Sequence, residues 1–147
     1  MKTLEISAMT RADIPKIHTL EALCFSSPWS EAALESELEN EAARFLVCKI
    51  DGEVAGYVGS ICVLDECSIT NVAVFPEFRR QSVVSELINS LCTLAKNGGI
   101  TNIFLEVRKS NDAARRLYEK CGFSVCGERK NFYTAPVEDA YIMNIKL

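Results

Sequence analysis

Two tight-turn signals within one apolar stretch constrain the fold of this chain more than any other feature. The runs RFLVCKI and VAGYVGSICV flank Asp51-Gly52, a dipeptide typical of two-residue β-hairpin turns. A polar turn at Asp65-Glu66 then separates the second run from a third, CSITNVAVF. We therefore expect three consecutive antiparallel strands in the middle of the chain.

Helical and extended patterns alternate on both sides of these strands. Before them, LEISAM alternates like a strand, Thr10 and Asp13 resemble a capping pair, and Ser30 can cap the helix EAALESELEN. The first helix is expected to bury the apolar residues of its stripe, which are Ile14, Ile17, Leu20, Leu23 and Cys24.

After the strands, apolar residues recur at helical spacing from Val84 to the stop signal Asn97-Gly98-Gly99. The strand NIFLEVR follows, then a helix capped within Ser110-Asn111-Asp112 that runs to about Lys120, then the strands FSVCGE and YIMNIKL. The order β-α-α-β-β-β-α-β-α-β-β predicts an α/β (α+β) fold in one domain, residues 1–147. Its mixed sheet would have about seven strands, with helices on both faces.

Composition is that of a soluble domain, because 48% of the 147 residues are apolar and 24% are charged. No apolar run approaches the ~20 residues of a membrane helix, and MKTLEISAM lacks the apolar stretch of a signal peptide. These features predict a cytoplasmic protein with no membrane partner.

The cysteines and the single histidine argue against a metal or thiol site. Seven cysteines are an odd number for a fully paired secreted chain, and most lie in apolar runs, where free cysteine acts as a small hydrophobe. No C-x-x-C motif occurs, and His18 is the only histidine. A zinc site and a Cys–His nucleophile pair are poorly supported, and no metal is expected.

Charge is distributed unevenly along the chain. The net charge of −4 argues against general affinity for nucleic acid. Residues 1–77 carry 5 basic and 13 acidic side chains, whereas residues 78–147 carry 11 basic and 7 acidic ones. The basic second half is either an ordinary solvated surface or a local site for a small polyphosphate ligand.

Three residues of the second half could carry chemistry, although each has an ordinary structural alternative. Glu106 lies within the apolar strand IFLEVR, either on a solvated face or in a cleft where it could act as a general base. Tyr118 suits the edge of a core, and Asn111 is most simply a helix cap.

Together these residues lie in a segment that resembles a known family. LEVRKSNDAARRLYEKCGF, residues 105–123, is similar to the C-terminal motif of the GNAT superfamily of N-acetyltransferases, in which an Asn-headed helix containing Tyr ends in Gly-Phe. ITNVAVFPEFRR, residues 69–80, resembles the strand that leads into their acetyl-CoA loop. CFSSPWS and the ending NFYTAPVEDAYIM resemble the RimI-type ribosomal-protein-alanine N-acetyltransferases within that superfamily.

The resemblance implies a role for each matching residue. Acetyl-CoA would be the co-substrate and would lie in a V-shaped opening between two parallel strands, with Glu106 as general base and Tyr118 as general acid. The residues that would hold acetyl-CoA are Val72, Ala73, Val74, Arg79, Arg80, Gln81, Ser82, Val83, Val84, Ser85 and Asn111.

These residue types suit acetyl transfer to an amine. A protein α-amine has a pKa of about 7.7–8.0, so a carboxylate that removes its proton makes the nitrogen nucleophilic toward a thioester. A phenol can then protonate the departing CoA thiolate, and neither a metal nor a covalent enzyme intermediate is required.

The implied acceptor is the N-terminal α-amine of a protein, such as the N-terminal alanine of a small-subunit ribosomal protein, whose basic tail would suit the acidic first half. In the resembling family, Trp29, Phe132 and Tyr133 lie in segments that border the acceptor groove. Trp29 could equally be a loop aromatic that covers the core. We expect a monomer or a weak homodimer that binds no nucleic acid.

The loop departs from the family pattern Gln/Arg-x-x-Gly-x-Gly/Ala, because Ser82 and Val84 replace its two small residues. Ser82 could cap the helix or reach a phosphate oxygen, but it cannot adopt a positive φ without cost. Val84 would obstruct the pyrophosphate unless its side chain turns into the core with Leu87 and Ile88. We therefore expect weaker affinity for acetyl-CoA than in glycine-bearing relatives.

Two other functions are compatible with the sequence. One is a GNAT enzyme acting on a small-molecule amine or another protein, and the other is a degenerate GNAT domain that binds a partner without catalysis. The altered loop favours the degenerate domain, whereas the joint presence of Glu106, Asn111 and Tyr118 favours an enzyme.

Overall fold

The computed structural model, which describes residues 3–147, places seven strands in one sheet. The strands are β1 (Leu4–Ala8), β2 (Ala43–Ile50), β3 (Glu53–Val63), β4 (Glu66–Val74), β5 (Asn102–Arg108), β6 (Ser124–Thr134) and β7 (Val137–Lys146). The helices are α1 (Ile14–Cys24), α2 (Glu31–Leu38), α3 (Val83–Asn97) and α4 (Asp112–Lys120), with 3-10 turns at Arg11–Asp13 and Pro76–Phe78. The strands lie in the order β1-β2-β3-β4-β5-β7-β6, and the β4–β5 pair is parallel.

The predicted fold class and element order are confirmed. Asp51 and Gly52 link β2 to β3 with φ of 50° and 84°, as a two-residue hairpin turn requires. Ser30 caps α2 because its hydroxyl oxygen accepts a hydrogen bond from the Ala33 N–H at 3.0 Å. Turn and cap chemistry therefore predicted the ends of these elements correctly.

The buried face of α1 differs from the predicted stripe. Ile14, Ile17 and Leu20 are buried as expected, but Leu23 is 63% exposed and Glu21 is fully buried. At about 100° per residue, Leu23 lies half a turn away from Ile14, whereas Glu21 lies almost directly beneath it. The prediction for Leu23 was wrong because helical geometry, rather than residue type, decides which side faces the core.

The closing hairpin is longer than predicted. β6 continues past FSVCGE to Thr134, and β7 starts at Val137 rather than at Tyr141. The outer part of this hairpin is polar and mostly exposed, so hydrophobic periodicity carried no signal there. Its register shifts between Arg129 and Tyr133, which reorients the side chains of the outer part.

One pair of cysteines is joined, contrary to the expectation for cysteines in apolar runs. Cys62 in β3 and Cys67 in β4 face each other across a hairpin, with Cα atoms 4.0 Å apart, and form a disulfide. The remaining cysteines are free: Cys24, Cys48, Cys92, Cys121 and Cys126. Periodicity placed the pair on strands but could not give the register that brings the two thiols together.

Helices cover opposite faces of the sheet and bury two separate cores. The α1–α2 face includes Tyr57 and Ala73 in its core. The α3–α4 face includes Val74, Leu87 and Leu105 in its core. Because neighbouring strand residues point to opposite faces, core membership tells which face a side chain occupies.

The longest described helix, α3, has 15 residues. No helix within residues 3–147 combines the length and the apolar character that crossing a membrane requires.

Gly56 in β3 permits a close approach of β3 to β4 and α3. A Cβ atom there would lie 2.7 Å from the Ala73 carbonyl oxygen and 3.1 Å from a Val83 methyl group. The Ala73 carbonyl cannot move away from this Cβ atom unless β4 moves with it. We therefore expect Gly56→Ala to lower the free energy of unfolding by about 1–3 kcal/mol, measured by urea denaturation. Gly98→Ala is the control, since its Cβ would meet nothing closer than 3.5 Å. An equal loss in both variants would contradict this explanation.

Candidate active site

β4 and β5 separate after a short parallel contact. Glu66–Ser68 pair with Asn102–Phe104, and the pairing ends there. At the same point of β4, a shift of register against β3 makes Thr70 the extra residue of a β-bulge. The outer halves of the two strands, residues 69–74 and 105–108, therefore border a gap in the sheet.

Main-chain groups of β4 point into this gap at alternate residues. The Phe75 N–H donates to the Ala55 carbonyl of β3 at 2.8 Å. Alternation along an antiparallel ladder directs the N–H and C=O of Ala73 toward β3 as well, and those of Val72 and Val74 into the gap. Val72 and Val74 can therefore offer strand-like hydrogen bonds to an extended ligand, while Ala73 adds a buried methyl group to the α1–α2 face.

The turn between β4 and α3 has a left-handed backbone without any glycine. The φ angle is 64° at Arg80 and 63° at Ser82, a conformation that costs a non-glycine residue about 1–2 kcal/mol. Ser82 is the N-cap of α3, and its carbonyl accepts from the Glu86 N–H at 3.0 Å. Its hydroxyl makes no capping hydrogen bond, so the sequence-based prediction of a side-chain cap was wrong.

The first turn of α3 directs its apolar side chains into the core. Val83 is buried in the α3–α4 core, and Val84 packs against the same core. This is the orientation in which Val84 leaves the helix end open. The first N–H groups of a helix have no carbonyl partner within the helix, so this end can bind an anion.

Arginines lie beside this helix end. Arg79 and Arg80 are exposed, and neither belongs to an ion pair within residues 3–147. Gln81 donates from Nε2 to the Glu77 carbonyl at 3.2 Å and thereby shapes the turn. Cations beside a helix N-terminus suit a pyrophosphate group.

Glu106 lies on the β5 side of the gap. Its neighbours Leu105 and Val107 belong to the α3–α4 core, so the Glu106 side chain points to the α1–α2 face. That side chain is 24% exposed and forms an ion pair with Arg129 of β6, in which Nε lies 3.3 Å from Oε1. The ion pair engages Oε1 and leaves Oε2 as the oxygen that could accept a proton.

Tyr118 lies on the α3–α4 face of the sheet. Its ring packs against Phe123, with ring centres 6.1 Å apart. Burial, reinforced by Tyr133 and Cys121, raises the pKa of Tyr118 to about 12, so it is a neutral phenol at physiological pH. Burial also raises the pKa of the Cys121 thiol, and a hydrogen bond with Ser85 partly offsets that rise, which places this end of α4 beside the start of α3.

Tyr133 connects Glu106 with Tyr118. Burial raises the pKa of Tyr133, and the Glu106 carboxylate adds to the rise. Tyr133 in turn contributes to the raised pKa of Tyr118, so it lies within electrostatic range of both residues. The Arg108 guanidinium carbon lies 4.2 Å from the centre of the Tyr133 ring and holds it against β5.

Arg129 belongs to the site but was not identified from the sequence. Besides pairing with Glu106, its guanidinium lies 5.7 Å from the centre of the Phe132 ring. Phe132 is 43% exposed and packs edge-on against Tyr133. In the sequence Arg129 contributes only to the basic charge of the second half, because its partner depends on how β6 and β5 flank β7.

Asn111 and Trp29 both have the structural roles that the sequence left open. The Asn111 carboxamide oxygen accepts from the Ala114 N–H at 3.1 Å and caps α4, which leaves its amide nitrogen as the group that could contact a cofactor. Trp29 packs on the α1–α2 core, with its ring 5.8 Å from that of Phe45. Trp29 nevertheless lies on the same face as Glu106.

The gap, the helix end and the two titratable side chains are compatible with one reaction. An extended thioester ligand could pair with the β4 edge, with its phosphates at α3 and its acyl carbon between Glu106 and Tyr118. Among the described residues, no group of three or more His, Cys, Asp or Glu side chains is arranged to hold a metal ion.

Comparison with known proteins shows which family the chain resembles. The Acetyltransferase (GNAT) family matches residues 14–123. A protein of Bacillus subtilis (strain 168), provisionally named a [ribosomal protein bS18]-alanine N-acetyltransferase, is 43% identical over 97% of this chain and 96% of its own length. The [ribosomal protein bS18]-alanine N-acetyltransferase of Escherichia coli (strain K12) is 34% identical over 97% of each chain. The crystal structure of the ribosomal-protein-S18-alanine N-acetyltransferase from Escherichia coli has a TM-score of 0.88 at 33% identity, covering 98% of this chain and 94% of that one.

Ser82→Gly tests the cost of the glycine-less turn. Glycine accepts the observed φ of 63° without strain, so we expect a melting temperature about 2–4 °C higher and tighter binding of acetyl-CoA by calorimetry. The control is Ser27→Gly in the loop between α1 and α2, where φ is not positive and glycine should give no gain. An unchanged Ser82→Gly protein, or low-micromolar affinity of the wild type, would contradict the expected cost.

Proposed function

The chain belongs to the acetyltransferase (GNAT) family, whose members use acetyl-CoA, and we propose that its acceptor is the N-terminal α-amine of a protein. The acceptor proposed in particular is the N-terminal alanine of a ribosomal protein such as bS18. The observation that carries this proposal is the gap between β4 and β5, which has Glu106 on one face and Tyr118 on the other. Similarity over nearly the full length to the relatives named above supports the choice of acceptor.

Glu106 acts as the base in this proposal. A protein α-amine has a pKa of about 7.7–8.0 and is therefore mostly protonated at neutral pH. Glu106 takes its proton, directly or through water, and the nitrogen then forms a bond to the thioester carbonyl carbon. The Arg129 ion pair fixes one carboxylate oxygen, so that the other keeps a constant direction toward the gap.

Tyr118 acts as the acid. When the carbon–sulfur bond breaks, the electron pair leaves with the CoA sulfur, and the Tyr118 phenol supplies the proton that makes it a thiol. The second proton of the attacking nitrogen then restores the phenol as the neutral amide forms, and Glu106 releases the first proton to solvent. The raised pKa of Tyr118, about 12, keeps the phenol proton in place from neutral pH up to well above the pKa of the amine. Arg79, Arg80 and the open end of α3 hold the phosphates, which fixes the thioester relative to both side chains.

The charge distribution supports a basic polypeptide as acceptor. Acidic side chains outnumber basic ones in residues 1–77, and this part of the chain forms the core of the α1–α2 face. The side chains of Glu106 and Trp29 lie on the same face. Opposite charges speed the encounter of two macromolecules and favour the correct partner. A ribosomal acceptor also implies that the protein works in the cytoplasm.

The roles of Glu106 and Tyr118 can be tested with an alanine-starting ribosomal tail peptide. We expect Glu106→Gln and Tyr118→Phe each to lower kcat by about 10²–10⁴-fold, because each removes one proton-transfer group while keeping the side-chain shape. The measurement is CoA release by a thiol reagent. Glu53→Gln, an exposed carboxylate in the β2–β3 hairpin, serves as the control and should retain full activity. Equal rates in all variants would refute both assigned roles.

The same assay with other acceptors tests the proposed substrate. The alanine peptide should be used better than peptides beginning with serine or methionine, than the same peptide with an acetylated N-terminus, and than small amines such as spermidine. Preference for a small amine would refute the protein acceptor, and no turnover of any acceptor would indicate a non-catalytic domain.

The pH dependence of kcat should reflect the raised pKa of Tyr118. An ordinary tyrosine with a pKa of about 10 would lose half of its acid form at pH 10, whereas Tyr118, with a pKa of about 12, stays protonated. At saturating acceptor we therefore expect kcat to stay constant between about pH 8.5 and 10.5. Circular dichroism would verify that the protein stays folded. A decline of kcat with a midpoint near pH 10 in folded protein would contradict the assignment of Tyr118 as the acid.

A further inference from the structure

Glu21 in α1 is a completely buried acidic residue that the proposed reaction does not use. Its exposed fraction is 0%, and it belongs to no ion pair within residues 3–147. Glutamate is almost never fully buried unless its carboxylate is paired. The side chain must therefore be satisfied by neutral donors.

Three neutral groups donate hydrogen bonds to the Glu21 carboxylate. The Trp29 N–H donates to Oε1 at 3.0 Å, while the Tyr57 hydroxyl at 2.5 Å and the Asn71 amide at 3.1 Å both donate to Oε2. The donors come from the loop before α2, from β3 and from β4. A single carboxylate thus joins α1 to the loop that follows it and to two strands that are distant in sequence.

One of these segments, β4, borders the gap. Asn71 directly follows the bulge residue Thr70, where β4 leaves β5, and it shares the α1–α2 face with Ala73. Glu106 faces the same side from β5. The Trp29 N–H and the Asn71 amide bind the same carboxylate, so two hydrogen bonds connect the loop before α2 to the edge of the gap. This connection lies on the face where the Glu106 side chain lies.

The loop has a second attachment to α1. The Trp29 carbonyl lies 2.8 Å from Nδ1 of His18, one helical turn before Glu21. Both main-chain groups of Trp29 are thus fixed, and its ring rests on Phe45, which in turn stacks on Tyr57. The loop is rigidly placed relative to β3 and β4, although it has no regular secondary structure.

Stability alone is a weak reason for a buried carboxylate. An apolar side chain of similar volume would fill the same space without desolvating a polar group, and such replacements are often neutral or stabilising. What an apolar side chain cannot do is fix the direction of three donors at once. The network therefore fixes the relative positions of the donor segments rather than adding net stability.

We propose that Glu21 is a positioning residue for the acceptor. It holds the loop before α2 and the bulge of β4 at a fixed separation, so that an N-terminal peptide entering from the α1–α2 face meets a preformed passage toward Glu106. This inference rests on the proposed function, because it concerns the acceptor of that reaction. Acetyl-CoA, by contrast, would contact the main chain of Val72 and Val74 and the start of α3, none of which hydrogen-bonds to Glu21.

The test compares Glu21→Gln with Asp13→Asn. Glutamine keeps the size of the side chain but presents one oxygen where three donors need two. Asp13 is likewise a buried carboxyl, 3% exposed, and it binds Thr10 and Lys49 just before α1, eight residues from Glu21. We expect Glu21→Gln to raise the KM for the alanine peptide about tenfold or more, as misplacement of a binding group does.

Acetyl-CoA affinity, measured by calorimetry, should stay within about twofold of the wild-type value, because binding contacts outside the network are unchanged. Asp13→Asn should leave both quantities unchanged at matched folded fraction. An equal loss of peptide and acetyl-CoA affinity in Glu21→Gln would show a purely structural role and overturn the proposal, as would an unchanged peptide KM. Inactivity of the wild-type protein itself would instead refute the proposed function, and with it this role of Glu21.

Discussion

The early end of pairing between β4 and β5 is the constraint on which the rest of the site depends. Parallel strands normally share hydrogen bonds along their length, but here the bulge at Thr70 coincides with the point where the two strands part. The main-chain groups of Val72 and Val74 then face open space rather than a neighbouring strand. Such groups can pair with water or with an extended ligand that enters the gap.

The proposed proton transfers at this gap use side chains from both faces of the sheet. Glu106 lies on the α1–α2 face with Arg129 paired to it, and Tyr118 lies on the α3–α4 face, where burial raises its pKa. In a continuous sheet the backbone would separate two such side chains. An opening between the strands, in contrast, is open to a ligand from both faces.

Prediction from sequence succeeded where the signal is local and failed where it depends on register. The hairpin turn at Asp51-Gly52, the cap at Asn111 and the helix predicted from Val84, which starts at Val83, follow from turn chemistry and periodicity. The pairing of Arg129 with Glu106 arises because β6 and β5 flank β7, and no local sequence pattern indicates it. Glu21 could have been found, because it lies on the apolar side of α1, but its residue type argued against burial.

Amide hydrogen exchange at individual residues of β4, followed by NMR during titration with acetyl-CoA, tests the central claim that this gap receives the thioester ligand. The account predicts that saturating acetyl-CoA slows exchange at Val72 and Val74, while Ala73, already bonded to β3, changes little. Unchanged exchange at Val72 and Val74, with protection appearing on another surface, would contradict it.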